Sequence, residues 1–180
     1  MAIFINFILF QIGWFACVLG GAHGQPWAGT AVALAIVALH VARAENPAAE
    51  IKLVLLAALL GGVWDSALVA LGWIAYHSGT LITGTAPHWI VAMWMLFATT
   101  LNISLRWLKH RGFLAILLGA FAGPFAYYAG EMLGALRFTD WQTAIAAQGI
   151  GWGILLPLLV MLSNRYDGIA AARRLRVVNV

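Results

Sequence analysis

A chain of 180 residues that is 63% hydrophobic and 9% charged, with a mean hydropathy of +0.92, carries far less charge than the roughly one quarter typical of soluble domains and reads as one integral membrane domain. The net charge of +4 and pI near 9.7 do not point to nucleic acid, because the basic residues are spread between apolar runs instead of forming a patch. The single Cys17 excludes an internal disulfide, a CxxC redox pair and a cysteine zinc site.

The first apolar run, 3–21, has no Lys or Arg ahead of it and reads as a retained helix, not a signal peptide. The turn His23-Gly24-Gln25-Pro26 leads to a second run, 27–42. In the charged loop that follows, Asn46 is placed to cap the next helix, with Pro47 in its first turn. The third run covers 53–75, and residues 77–87 form a polar, Gly/Thr-rich connection to the fourth, 89–108. Lys109-His110-Arg111 closes that run.

The fifth run, 113–136, is uncharged until Glu131. Its 24 residues at about 1.5 Å each give roughly 36 Å, enough for the ~30 Å hydrocarbon slab. Pro124 removes a backbone donor there, which predicts a kink or an unpaired carbonyl. Gly119/Gly123 and Gly130/Gly134 are small-xxx-small pairs on which a helix of this chain or of a second copy would pack. Arg137-Phe138 reads as a short link, and Thr139 with Gln142 as a capping box opening the sixth run, 143–163. The fold class is therefore an all-α, six-helix transmembrane bundle over 1–164, followed by a basic tail, 165–180.

Six crossings place both termini on one side. On that side lie nine of the ten Lys and Arg residues, and opposite them only Arg137. The positive-inside rule makes the terminal side cytoplasmic, in a bacterial inner membrane. Trp27, Trp73, Tyr76, Trp89 and Trp141 then form an outer aromatic belt, with Trp107 and Tyr166 on the inner side. The third and fifth runs echo one another at an offset of 62 residues, without extending to the flanking helices.

The residues with chemical potential are few. Asp65, between Trp64 and Ser66, is placed near mid-membrane, and Glu131 five residues from the outer end of its run. Parallel helices would set the two about 7–8 Å apart in depth, bridged through Tyr127 or Tyr128 and water. A carboxyl in hydrocarbon is costly, so both must face protein or water. The functional reading is a polar pocket open to the outer face, with Asp65 and Glu131 as acid/base or ligand-orienting groups and Trp64 and Gln148 as ligand-binding residues. The structural reading is two carboxyls holding helices together. Gln11 and Asn102 are expected to make interhelical hydrogen bonds, and His40 to lie at the interface. His23, His77 and His88 are the weak metal candidates; no two have i,i+4 spacing, and neither a metal nor a cofactor is expected.

The stretches FQIGWFACVLGG, GGVWDSALVALGW, PHWIVAMWMLFATTLNISLRWL and GAFAGPFAYYAGEMLGAL resemble a family of small bacterial inner-membrane proteins known only as a domain of unknown function. The Trp64-Asp65 and Gly130-Glu131 neighbourhoods are its more specific parts. The resemblance implies genes lying near ones similar to cyclopropane-fatty-acid synthases and flavin amine oxidases, hence a place in membrane lipid modification. The leading expectation is an enzyme or accessory factor acting on membrane lipid. The alternatives are a small proton-coupled carrier and a scaffold subunit without chemistry of its own. No familiar catalytic constellation decides whether the protein is an enzyme.

Overall fold

The computed structural model describes residues 2–169. Six α-helices are present among them: α1 (Ala2–Ala22), α2 (Pro26–Ala42), α3 (Pro47–Ala70), α4 (His88–Leu101), α5 (Gly112–Met132) and α6 (Trp141–Arg165). Two short strands, β1 (Ile74–Tyr76) and β2 (Leu136–Phe138), pair antiparallel. Four helices, α1, α3, α5 and α6, are long and apolar enough to cross a membrane; α2 and α4 have 17 and 14 residues. Residues 170–180, which include most of the expected basic tail, lie outside the described residues.

Side-chain caps open α3 and α6. Asn46 Oδ1 accepts from the Ala49 amide at 3.2 Å, with Pro47 opening α3. At α6 the cap is Asp140, not the expected Thr139. Its carboxylate accepts from the Thr143 amide and hydroxyl, at 3.3 and 2.7 Å, because a carboxylate at that position serves both donors. α5 runs unbroken through Pro124, and α6 contains a second internal proline, Pro157.

The C-terminal ends of α3 and α5 differ most from expectation. α3 stops at Ala70 and α5 at Met132, and in each a glycine follows in the left-handed region, Gly72 at φ 72° and Gly134 at φ 83°. The Trp73 amide closes on the Leu68 carbonyl and the Ala135 amide on Gly130, both at 3.0 Å. This is the reverse turn that ends a helix once a residue without Cβ takes positive φ. Each chain then enters a strand, so the residues read as the last turn of one helix and as a plain link form β1 and β2. The fourth run also ends early. α4 stops at Leu101, and a turn and one 3-10 segment, Arg106–Leu108, complete it.

The echo of 62 residues extends into these caps. Gly72 matches Gly134, and β1 matches β2; the central pair of the ribbon, Ala75 with Arg137, is itself a matched pair. Two helix–cap–strand units thus meet about a local twofold through the ribbon. α3 packs on α4 as α5 packs on α6, and α3 also meets α6. The mirror contact, α4 with α5, is at most marginal.

α4 is the hub, touched by α1, α2, α3 and α6, and nine of its 14 residues are buried. At 14 residues it is shorter than the ~30 Å slab, and its neighbours cover it. The outer helices carry apolar stripes facing away from the protein, such as Leu55, Leu59 and Val63 on α3 and Phe121 and Phe125 on α5, each more than half exposed. That is the surface expected where lipid is the solvent. The belt is partly different: Trp27 and Trp141 are exposed, but Trp89 is buried and donates to the Ser78 carbonyl at 2.9 Å.

The glycine pairs are used within the chain. A Cβ on Gly119 or Gly123 would fall 2.1 or 2.2 Å from Trp152 of α6, so that face is filled and not free for a second copy. Gly130 faces Leu136, and Gly134 lies past the helix end. They do not form a continuous helix face.

Candidate functional site: a buried carboxyl beside an apolar cleft

Asp65 is fully buried, five residues before the last residue of α3, hence about 7 Å from the helix end. It is nearer the strand end than mid-membrane because the helix stops early. Three side chains from three elements converge on it. The Tyr76 hydroxyl, from β1, donates to Oδ1 at 2.9 Å. The Tyr127 hydroxyl, from α5, lies 2.7 Å from Oδ1 and 2.8 Å from Oδ2. Trp94 Nε1, from α4, donates to Oδ2 at 2.7 Å. Asp65 and Tyr127 occupy matched positions of the two units.

Glu131 is not part of this cluster. Its Oε1 accepts from the backbone amide of Phe138 at 2.8 Å, and no hydrogen bond joins it to Asp65. Both acids instead hold the ribbon, one through Tyr76 of β1 and one through the β2 backbone. Tyr128 is 42% exposed and turned away, since adjacent helical residues diverge by about 100°. Trp64 and Gln148 do meet: Trp64 Nε1 donates to Gln148 Oε1 at 3.3 Å. Gln148 and Trp152 approach the Tyr127 hydroxyl, although Gln148 Nε2 and Trp152 Nε1 form no well-made hydrogen bond.

Where α4 and α5 fail to pack, a cleft of about 320 Å³ opens between α1, α4 and α5. Its walls include Phe7, Phe10 and Trp14 of α1, Met93, Trp94 and Phe97 of α4, and Ala122, Ala126 and Tyr127 of α5, with Trp152 at its floor. From Trp89 to Thr100 along α4 it extends 11 residues, about 17 Å, close to half of the ~30 Å slab. The expected polar pocket is thus an apolar cleft. The carboxyl stands behind its wall, reached through Tyr127 and Trp94, because three donors have drawn both of its oxygens into the protein.

The metal candidates are not gathered: no group of three or more His, Cys, Asp or Glu capable of holding a metal occurs among the described residues. His23 Nδ1 contacts the Leu19 carbonyl at 2.9 Å, while His88 stacks on Trp27 and meets Thr30.

A second polar cluster, at the opposite end of the bundle, centres on Glu50, which was not singled out in the sequence. Fully buried in the first turn of α3, it meets His40 Nε2 at 2.8 Å through Oε2. Its Oε1 accepts from Asn102 Nδ2 at 2.7 Å and from the Gly168 amide at 2.8 Å. Lys109 Nζ reaches Asn102 Oδ1, the Ser163 carbonyl and Asp167, and Arg106 also pairs with Asp167. Asn102 thus does join helices, as expected; His40 is buried and paired, not interfacial. A Glu near a charged loop gives no local sign of burial. Its partners lie 10, 52 and 118 residues away.

Four apolar helices of spanning length, a lipid-like exterior and a buried polar cluster define an α-helical membrane protein. Residues 3–158 match the family model of the proteins of unknown function DUF2878, and the chain belongs to that family. No curated protein and no solved structure matches it.

Proposed function

We propose that this is a six-crossing protein of the bacterial inner membrane, with both termini in the cytoplasm, that takes a lipid acyl chain into the cleft between α1, α4 and α5 and acts in lipid or fatty-acid modification, as an enzyme or as an accessory factor. One observation carries the reading. The cleft is lined almost wholly by apolar and aromatic side chains, is about one leaflet long, and runs beside the Asp65–Tyr127–Trp94 cluster. Methylene groups gain contact with aromatic walls there, and two wall residues, Tyr127 and Trp94, are tied to the Asp65 carboxyl. This agrees with the lipid-modifying gene neighbourhood that the sequence resemblance implies. The nine-to-one split of basic residues supports the orientation.

The test uses a phospholipid bearing a photoactivatable group on its acyl chain, added to the purified protein. Crosslinks are expected on cleft residues of α1, α4 and α5. They should fall several-fold in Ala122→Phe, which fills the cleft from an exposed position. Crosslinks spread evenly over the outer stripes, unchanged by Ala122→Phe, would remove the proposal. Lipid profiling of a deletion strain then decides whether modification is affected.

A further inference from the structure

The two ends of the cleft differ. At the ribbon end it is closed: its lining residues Val18, Trp89 and Leu136 are 3%, 1% and 7% exposed. α1 and α5 make at most a marginal contact with each other, yet their ends converge there. Ser78 Oγ, just past β1, donates to the Gly21 carbonyl of α1 at 2.7 Å, and a Cβ on Gly134 would stand 3.8 Å from the Ala22 methyl. The polar atoms of this end are turned into the protein. Trp89 Nε1 donates to the Ser78 carbonyl, and the Tyr127 hydroxyl to Asp65. Arg137 is exposed but alternates with the buried Leu136 and Phe138 along β2, and so stands on the opposite face.

At the other end the cleft is open. Phe7 is 49% exposed, and Ser104, Leu105 and Leu118 are half-buried. The chain leaving this wall carries Arg106, Lys109 and Arg111, with the exposed Trp107 among them. Arg106 and Lys109 share one carboxylate, Asp167, so this end keeps positive charge. An exposed tryptophan beside Arg and Lys is the pattern of a membrane–water interface.

A phospholipid is polar at one end only. Its phosphate at the ribbon end would be buried among side chains whose donors are already spent, which is costly, whereas a terminal methyl fits there. We infer that the acyl chain lies in the cleft with its methyl end at Trp89, Tyr127 and Leu136 and its ester and phosphate at the Ser104–Arg106 end. The inference rests on the reading of the cleft as an acyl-chain site. In the orientation proposed above, the lipid comes from the cytoplasmic leaflet. The part of it beside Tyr127 is then hydrocarbon remote from the ester. The distal methylenes, not the ester bond, are the group presented to the Asp65 cluster.

The test uses two phosphatidylglycerols, one with a photoactivatable group next to the ester and the other with the same group at the terminal methyl, each crosslinked to the purified full chain. The ester-side probe is expected to label Phe7, Thr100, Ser104 and Leu105 several-fold more than Val18, Trp89 and Tyr127, and the methyl-side probe the reverse. Ala126→Phe, which narrows the ribbon half of the cleft from a half-buried position, lowers labelling by the methyl-side probe more than by the ester-side probe. The wild-type pattern decides by itself should Ala126→Phe fail to fold. The opposite order of labels, or one distribution shared by both probes within the cleft, overturns the inference and leaves the acyl-chain reading standing. Crosslinks from both probes that fall outside the cleft remove that reading and the inference with it.

Discussion

Trp94 decides how the Asp65 cluster responds to substitution. Its indole can only donate, whereas the Tyr76 and Tyr127 hydroxyls can rotate to donate or accept. An amide at position 65 can therefore turn its oxygen to Trp94 and its NH₂ to the tyrosines. Asp65→Asn is expected to cost about 1 kcal/mol or less, and Asp65→Leu, which strands three buried polar groups, about 3 kcal/mol or more. Tyr127→Phe falls between, at about 1–2 kcal/mol. Thermal or denaturant unfolding in micelles checks the order; Asn and Leu variants of equal stability would show that the donors find other partners. Glu131, half-buried and bonded to one backbone amide, should matter less than Asp65 in the same assay.

At the scale of elements, two helices end in the same way because two glycines sit at matched positions. Gly72 and Gly134 have φ values of 72° and 83°, and neither has a neighbour that an added Cβ would strike. The penalty for a side chain is thus conformational, not steric. Gly134→Val is expected to lose about 1–2 kcal/mol and Gly134→Asn distinctly less, since asparagine tolerates the left-handed region. Unfolding midpoints of the two variants check it. Gly123 is the opposite case: there a side chain meets the Trp152 ring at once, so backbone strain plays no part and the α5–α6 contact must open. The shared spacing of Gly119, Gly123, Gly130 and Gly134 hides two unrelated physical requirements.

Over the whole molecule, the two polar clusters lie at opposite ends and tie together elements distant in sequence. Glu50 joins α2, α3, the segment after α4 and the chain beyond α6. Removing it leaves a buried amide, an imidazole and a backbone N–H without their shared acceptor. Glu50→Leu is expected to destabilise by about 3–5 kcal/mol and Glu50→Gln by less. It should also release the segment around Gly168, whose amide bonds Glu50 and whose carbonyl accepts from Asn46. Faster proteolysis after residue 165, together with a lower unfolding midpoint, is the expected signature. The cleft is the other property of the whole. It exists because the two helix–strand units are matched in their caps and ribbon but not in their outer contacts, α3 packing on α6 where α4 makes at most a marginal contact with α5.

The sequence by itself determined the membrane class, the number of apolar segments and the Asn46–Pro47 start of α3, since hydropathy, capping and charge act over a few neighbouring residues. The strands were hidden because three-residue segments following apolar runs resemble one more helical turn; the matched glycines were their only sign. The tertiary structure alone decided that Asp65 would be held by Tyr76, Trp94 and Tyr127 and not by Glu131, that Glu50 would be buried, and that the cavity would be greasy where a polar one was expected. Those outcomes depend on partners 10 to 118 residues apart, brought together by which helices pack and which do not, and no local pattern of residue types encodes that choice.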